Sequence, residues 1–203
     1  MACVSLEPPL KLYYDYKSPF AFLAAEPAFA LPERYSIELR WIPFQLRLKG
    51  KGERSQYSEW KALYSYLDAR RWANRRGGFK IRGPRKVYDS RPALIGGLFA
   101  TRAGCFRDYT LAAYARFFDH RLELDLPDQI AGCFEELLGP GAGARYLAYF
   151  EGEGARDFDA AMEEAHADHV FGVPLFFFRG EPFWGHDRMP LLEERLTEAG
   201  LRQ

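Results

Sequence analysis

The two ends of the chain alternate hydrophobic and polar residues, whereas the middle follows a helical spacing. Residues 10–14 alternate in a β-prone run, and residues 35–44 alternate before they turn apolar, so each segment predicts a strand. Residues 19–31 between them predict a helix, which Pro32 ends because proline cannot continue it. The three segments form a β-α-β unit, with a right-handed crossover if the two strands are parallel.

The middle of the chain predicts helices. They span residues 58–75, 92–103, 108–121, 128–138, 145–151 and 157–168. Two short strands, 175–178 and 182–183, and a last helix from Asp187 to about Ala199 are predicted after them. We therefore expect one discontinuous domain, residues 1–45 and 169–203, with an inserted all-α domain of residues 46–168.

The formal charge of the chain is zero, with 28 basic and 28 acidic residues among 203. This balance gives no general attraction to nucleic acid or to an anionic membrane surface, so we expect neither as a partner. No apolar run approaches the ~20 residues of a membrane span, and the N-terminus lacks a secretory pattern. Cys3, Cys105 and Cys133 form neither a redox pair nor a metal-binding spacing, so we expect no metal and a cytoplasmic location.

Ser18 stands where the first strand gives way to the first helix. Pro19 suits the first helical turn, because its missing N–H would lack a partner there anyway, and Ser18 then takes the N-cap position. The simplest interpretation is a capping serine that contributes ~1 kcal/mol. The same position collects unpaired N–H groups and the positive end of the helix dipole, which favour an anion. A serine hydrolase is not indicated, because the four histidines lie in no G-x-S-x-G type motif.

Three motifs follow one another along the chain: Asp15-x-x-Ser18-Pro19, Gly172-Val173-Pro174 and Phe183-Trp184-Gly185-x-Asp187-Arg188. Their combination and order resemble the 2-hydroxychromene-2-carboxylate isomerases and the kappa-class glutathione transferases, and the resemblance spans nearly the whole chain. It implies a thioredoxin-like, DsbA-like α/β fold with a large all-α insertion. It also implies a cis Val173–Pro174 bond that faces the start of the first helix, although an X-Pro bond by itself predicts trans.

Disulfide oxidoreductases of the DsbA type carry Cys-x-x-Cys at the start of that helix. This chain has Ser18-Pro19-Phe20-Ala21 there, so thiol–disulfide exchange is excluded as a main activity. The resemblance implies instead that Ser18 is catalytic and donates a hydrogen bond to the thiolate of bound glutathione. The implied glutathione contacts are Ser18, Pro19, Phe20, Val173, Pro174, Trp184, Asp187 and Arg188. The implied activity is that of a glutathione-dependent isomerase or transferase for a small, aromatic substrate, in a homodimer.

Some of these positions also have simpler interpretations. Asp187 suits the N-cap of the last helix, which explains the aspartate but not Arg188. Val173-Pro174 suits a tight turn into a core strand, whereas a cis bond would also expose the Val173 main chain for strand-like pairing with an extended peptide. His186 lies where family members vary, and we give it no role beyond lining the site.

Polar residues recur on one face of the first inserted helix. Lys61, Tyr64, Asp68 and Arg71 are spaced at i, i+3, i+7 and i+10, which places them on one side. Such a stripe is most often solvated or an ion-pair ladder, and Asp68 with Arg71 would then only fix the fold. The spacing also resembles the first inserted helix of the same family, which borders the active cleft. On that interpretation, Lys61, Tyr64 and Arg71 bind the substrate, and the two interpretations are evenly balanced.

The loop after the second strand departs from the family pattern. Members with well-defined glutathione sites usually carry Gly-Asn followed by prolines there, and the asparagine anchors the cofactor. Residues 48–53 of this chain are Leu-Lys-Gly-Lys-Gly-Glu and contain no asparagine. Lys49 or Lys51 would have to replace the asparagine contact through charge. Glutathione binding would then be weaker, or another thiol would be used. The alternative function is a redox-inactive thioredoxin-fold binding module that holds a peptide along the cis-proline edge without catalysis.

Overall fold

The computed structural model describes residues 9–47 and 56–203. Four strands and eight α-helices occupy these ranges. They are β1 (Leu10–Tyr14), α1 (Pro19–Phe29), β2 (Leu39–Pro43), α2 (Gln56–Arg76), α3 (Arg91–Arg102), α4 (Phe106–Phe118), α5 (Pro127–Leu138), α6 (Ala142–Glu151), α7 (Glu153–Ala167), β3 (Leu175–Phe178), β4 (Glu181–Trp184) and α8 (Met189–Glu198). Short 3-10 turns cover Leu31–Glu33 and His186–Arg188.

The four strands form one mixed sheet in the order β2-β1-β3-β4. β1 pairs with β2 in parallel and with β3 antiparallel, and β3 pairs antiparallel with β4. The β-α-β unit and the late pair of strands are therefore confirmed, with the helices α2–α7 placed between them in the chain. This is the predicted α/β architecture with an all-α insertion. The division into two domains at residues 45/46 and 168/169 stays a prediction.

Several predicted helix boundaries differ from the structure by two to four residues: α1 ends at Phe29, and α4, α6 and α7 begin at Phe106, Ala142 and Glu153. Two further predictions are wrong for tertiary reasons. The second strand begins at Leu39 and not at residue 35, because Tyr35 forms a bridge with Arg202 and the Ser36 N–H donates to the Leu201 carbonyl at 2.7 Å. The segment before β2 thus pairs with the C-terminal tail. The N-cap role of Asp187 is also wrong. A 3-10 turn holds Asp187, and α8 starts only at Met189 without a side-chain cap.

Aromatic side chains join α1 to the inserted helices. The Phe22 ring stacks on those of Tyr114 and Phe118, with centroids 5.3 and 5.5 Å apart. Tyr16 meets Tyr109 and Tyr114 edge to face, at 5.7 and 5.0 Å. Each such pair adds about 0.5–1.5 kcal/mol beyond the burial of its area. The cluster therefore fixes the direction of α1, and with it the place of the N-terminus of this helix.

The remaining expectations concern absences. Within the described ranges, no helix is both long and apolar enough to cross a bilayer. The same residues contain no group of three or more His, Cys, Asp or Glu side chains that could hold a metal ion. Cys105 and Cys133 are buried free thiols, and Cys3 lies outside the described residues.

Candidate active site

Ser18 is the N-cap of α1. Its backbone is extended, with φ −84° and ψ 115°, and its side-chain oxygen accepts a hydrogen bond from the Ala21 N–H at 3.2 Å. Pro19 occupies the first helical turn, as the sequence predicts. The capping role is therefore confirmed. The side chain is also buried, so this hydroxyl lies within the protein at the positive end of α1.

The second motif reaches the same point. The Val173–Pro174 peptide bond is cis, and the Ser18 hydroxyl donates to the Val173 carbonyl oxygen at 3.1 Å. The Pro174 carbonyl accepts a hydrogen bond from the Gly185 N–H at 2.9 Å, which ties the third motif to the second. The structure thus brings all three motifs together. The cis bond and its position beside the helix start are both confirmed.

Trp184 closes one side of this arrangement. A Cβ atom on Gly172 would lie 2.8 Å from the indole Nε1, so only glycine lets the two segments approach this closely. The Phe171 ring meets the indole edge to face at 5.1 Å. Phe171 and Trp184 are both exposed, so they form an apolar ledge beside the cis-proline turn. An aromatic ledge of this kind offers a surface for the apolar part of a ligand.

A buried ion pair supports the turn that carries Ser18. One oxygen of the Asp15 carboxylate accepts from the Lys17 N–H at 3.0 Å, and the other accepts from the Leu46 N–H at 2.8 Å. The Lys17 ammonium lies 3.5 Å from Asp15 and donates to the Leu46 carbonyl at 2.8 Å. Burial raises the pKa of Asp15, while Lys17 and the two N–H donors oppose that rise. The pair ties the Ser18 turn to the segment after β2. Sequence reasoning placed Asp15 in a motif but gave it no role.

His186 is a second residue whose role the sequence missed. Its ring stacks on Phe20 with centroids 5.4 Å apart and planes 11° apart, and it meets Trp72 of α2 edge to face at 4.9 Å. The imidazole is buried, and its Nε2 atom has no hydrogen-bond partner among the described residues. Burial lowers the pKa of His186, the Arg76 guanidinium lowers it further, and Asp187 and Asp68 oppose them. His186 therefore joins α1 to α2 as a neutral ring.

Asp187 and Arg188 extend from this turn into solvent. The Arg188 guanidinium donates to the Asp187 carboxylate at 2.7 Å, and both side chains are exposed. Their 3-10 turn packs against α1. An exposed pair of this kind contributes about 0–1 kcal/mol, so the ion pair can open for a ligand at little cost.

The α2 helix borders this region through Trp72. Lys61, Tyr64 and Arg71 are exposed, and Arg71 lies 3.8 Å from the half-buried Asp68. Large apolar side chains on the same helix also face solvent, among them Leu63, which is 70% exposed. The exposed surface of α2 is therefore a mixture of cations, aromatic rings and aliphatic side chains. The loop of residues 48–53, including Lys49 and Lys51, lies outside the described residues.

A hydroxyl at a helix start, beside a cis-proline turn and with no cysteine in the first helical turn, defines a cysteine-free site on a thioredoxin-type fold. Residues 9–197 match the model of the DSBA-like thioredoxin domain, and the chain belongs to this family.

Relatives of similar length carry one name. The chain is 26% identical over 189 residues to the 2-hydroxychromene-2-carboxylate isomerase of Pseudomonas putida, covering 91% of this chain and 92% of that protein. It is 24% identical over 204 residues to the isomerase of the same name from Sphingobium xenophagum, covering 93% and 98%.

Solved structures show the same fold. A 2-hydroxychromene-2-carboxylate isomerase superposes with a TM-score of 0.76 at 22% identity, covering 95% of this chain and 96% of that one. The cytosolic disulfide reductase DsbM from Pseudomonas aeruginosa with GSH superposes with a TM-score of 0.64 at 16% identity, covering 94% and 100%. The thioredoxin-like, DsbA-like fold expected from the sequence is thus confirmed.

Proposed function

We propose that the protein is a glutathione-dependent isomerase or transferase that acts on a small aromatic substrate, in the manner of the 2-hydroxychromene-2-carboxylate isomerases. The observation that carries this proposal is the placement of Ser18. Its hydroxyl lies at the start of α1 and bonds to the carbonyl before a cis proline, in a turn without cysteine. The names of the relatives from P. putida and S. xenophagum support the isomerase activity.

The residues of the site fit a thiolate. The α1 N-terminus directs the Phe20 N–H and a partial positive charge toward the region of Ser18, while Pro19 has no N–H and the Ala21 N–H donates to the Ser18 side-chain oxygen. A hydroxyl donor at the same place favours the charged form of a thiol, whose ordinary pKa is ~8.5. Neither effect needs a histidine or a metal. When bound, glutathione would supply a thiolate that adds reversibly to a conjugated double bond, permits rotation about it, and leaves again without net redox change.

Ser18 must change its partner to act in this way. Its single proton is donated to the Val173 carbonyl at 3.1 Å, so it cannot serve a sulfur atom at the same time. The freed carbonyl of the buried Val173 would then need another donor, because an unpaired buried acceptor costs about 1–3 kcal/mol. A peptide N–H of an extended ligand would supply that donor by strand-like pairing. We therefore expect ligand main-chain binding at Val173 to release the Ser18 hydroxyl.

The other proposed glutathione contacts form two groups, one around the thiol and one at the γ-glutamyl end. Pro19, Phe20, Pro174 and Trp184 would contact the cofactor around its thiol. Asp187 would accept a hydrogen bond from the γ-glutamyl ammonium, after leaving Arg188, which would lie at the same end. The DsbM structure with GSH supports glutathione as the ligand of a DsbA-like fold.

Substrate would meet the exposed surface of α2. Lys61 and Arg71 offer cations for a carboxylate, and Tyr64, with a side chain that is 58% exposed, offers a ring surface. Trp72 connects the same helix to His186 and Phe20 beside the α1 start. We place the protein in the cytoplasm, in keeping with the free thiols Cys105 and Cys133. We also propose a homodimer, which only the family resemblance implies.

A ligand titration tests the proposal against the binding-module alternative. Thermal unfolding is followed with glutathione and with S-methylglutathione, a thiol-blocked control. Turnover of a conjugated aromatic substrate is then measured separately in the presence of each peptide. Ligand at 100 times its Kd adds about 2.7 kcal/mol of apparent stability. We expect both peptides to stabilise the protein and only glutathione to support turnover. Stabilisation by both without any turnover would favour the binding module, and no saturable effect at millimolar concentrations would reject the glutathione site.

A further inference from the structure

A groove of about 750 Å³ runs along β2 on the side away from β1. Six consecutive residues, 38–43, line it. Successive side chains of a strand point to opposite faces of the sheet, so the strand edge is the surface that all six residues share. β2 is the last strand of the sheet, and this edge has no strand beside it among the described residues. The groove therefore exposes main chain as well as side chains.

The main-chain groups that face the groove follow from the register of β2. The Leu10 N–H donates to the Glu38 carbonyl at 2.9 Å, and the Phe44 N–H donates to the Tyr14 carbonyl at 2.8 Å. Main-chain groups alternate in direction along a parallel pair, so residues 38, 40, 42 and 44 face β1. Leu39 and Trp41 consequently direct both their N–H and their C=O groups into the groove. Pro43, the next outward position, offers only a carbonyl.

The groove has aromatic side chains and two walls. Trp41 stacks on Phe29 at 4.5 Å and meets Phe106 at 5.4 Å, so three rings adjoin one another along it. The α7 helix forms one wall. The helix α3, through Leu98 and Thr101, and the ends of α1 and α4 that carry Phe29 and Phe106 form the other, and α3 also packs against α7. The guanidinium of Arg107 lies over the Phe29 ring at 5.6 Å, and it forms no ion pair with a described carboxylate. An anion can therefore bind Arg107 without displacing an acidic side chain.

We propose that this groove binds one extended peptide segment of a partner protein by strand addition to β2. The main chain of the peptide pairs with Leu39 and Trp41, an apolar side chain lies on the aromatic rings, and a carboxylate binds Arg107. Helices flank the β2 edge on both faces of the sheet, which favours a single extended strand over the sheet edge of a second folded copy as the occupant. None of the lining residues belongs to the three motifs around Ser18, so this site is separate from the proposed active site.

Amide hydrogen exchange tests the proposal directly. The probe is the peptide acetyl-Gly-Val-Phe-Val-Glu-amide, added to the 15N-labelled protein at ten times its Kd. Exchange at Leu39 and Trp41 should slow about tenfold, because bound protein is then about ten times as abundant as free protein. Exchange at Arg40 and Ile42 should already be slow without peptide and change little. No saturable binding, or protection at other amides alone, would overturn the proposal.

Two variants separate the main-chain contact from the charge. Leu39→Pro removes an outward N–H and leaves the bonds to β1 in place, since proline is tolerated at the first residue of a strand. It should weaken peptide binding at least fivefold. Arg107→Gln should weaken it about two- to fivefold, as for an exposed ion pair, whereas Arg145→Gln on α6 should have no effect. Unchanged affinity in both Leu39→Pro and Arg107→Gln would contradict the proposal.

Two controls cover the remaining outcomes. A probe that is N-methylated on the amides pairing with β2 should lose binding even if Leu39→Pro fails to fold, and full binding by this probe would overturn strand addition. Glutathione binding should be unchanged in the groove variants, which keeps this test independent of the Ser18 site. Protection of Leu39 and Trp41 that rises with protein concentration, without peptide, would overturn the peptide partner in favour of a second copy.

Discussion

The Ser18 hydroxyl and the Val173 carbonyl share a hydrogen bond of 3.1 Å, although 155 positions separate the two residues in the chain. The fold creates this contact, because β1 pairs antiparallel with β3 and the end of β1 therefore lies beside the start of β3. A donor that is already bonded must be released before it can stabilise a thiolate.

Ser18→Ala should fold and lose most activity. The variant loses the helix cap and the bond to Val173, at about 1 kcal/mol each, which a stability of about 5–15 kcal/mol can absorb. Loss of one preorganised donor lowers turnover by about a hundredfold. Denaturant unfolding and the glutathione-dependent reaction measure the two effects. Ser18→Thr keeps the hydroxyl and should retain more activity. Wild-type turnover in Ser18→Ala would show that Ser18 is only a cap.

Glutathione bound to the wild-type protein should be largely thiolate at neutral pH. The helix end and the Ser18 hydroxyl favour the anion together, and one pKa unit corresponds to ~1.4 kcal/mol. We expect the thiol pKa to fall by about one to two units from ~8.5. Ultraviolet difference absorbance of the complex against pH measures the thiolate. The fall should be smaller in Ser18→Ala, and an unshifted thiol titration at saturation would reject this mechanism.

His186 should make the protein less stable in acid. Burial and Arg76 hold the pKa of the folded-state imidazole below its ordinary value, while Asp187 and Asp68 act in the opposite direction. The unfolded chain therefore takes up a proton near pH 6.5, before the folded protein does. The His186 contribution is complete above that pH and is lost as pH falls through the folded pKa, by at most about 1.4 kcal/mol per unit.

Urea unfolding between pH 7.5 and 5 measures this dependence. His186→Phe keeps a ring between Phe20 and Trp72 and should flatten the slope. His166→Gln, at an exposed position on α7, is the matched control. A slope that is identical in His186→Phe and the wild type would show that His186 does not titrate with unfolding.

Asp15 and Lys17 should be strongly coupled. Both side chains are buried, so removal of one leaves the other as an uncompensated buried charge, which costs about 3–5 kcal/mol. Asp15→Asn and Lys17→Met should each lower the free energy of unfolding, and the double variant should lose less than their sum by at least about 1 kcal/mol. Urea unfolding of the four proteins at pH 7 gives the coupling. Strict additivity would mean that the two side chains do not act as a pair.

Substrate binding by α2 is tested by steady-state kinetics. Lys61→Ala and Arg71→Ala should raise KM for a carboxylate-bearing substrate with little change in kcat, because an exposed cation binds the ground state and the transition state alike. Arg70→Ala, one position away on the helix, should leave KM unchanged. Unchanged KM in all three variants would indicate that this face of α2 is only solvated and does not bind the substrate.

Much of the fold could be predicted because its signals are local. The alternation in β1, the proline at the start of α1 and the helical spacing in the middle of the chain each depend on near neighbours in sequence. The start of β2 could not be predicted, because residues 35 and 36 pair with a tail that follows 165 to 167 positions later. The 3-10 turn at Asp187 likewise depends on packing against α1.

The site was predictable only in part. The meeting of Ser18 with Val173-Pro174 followed from the combined motifs, but the atom to which Ser18 donates depends on the geometry of the turn. The position of His186 between Phe20 and Trp72 requires three elements at once, and no local pattern contains it. The groove along β2 depends on which strand is at the end of the sheet.

The position of β1 in the sheet has a consequence for synthesis on the ribosome. The β1 strand can pair with β2 early in synthesis. Its other edge pairs with β3, where Tyr13 lies opposite Leu175, so this edge stays unpaired until β3 has been made. At about 5–20 residues per second, that edge stays open for on the order of ten seconds while the inserted helices emerge. An unpaired strand edge can associate with other chains. We therefore expect the nascent chain to be most prone to association during this interval, and a chain that terminates before residue 173 cannot form the Ser18–Val173 contact.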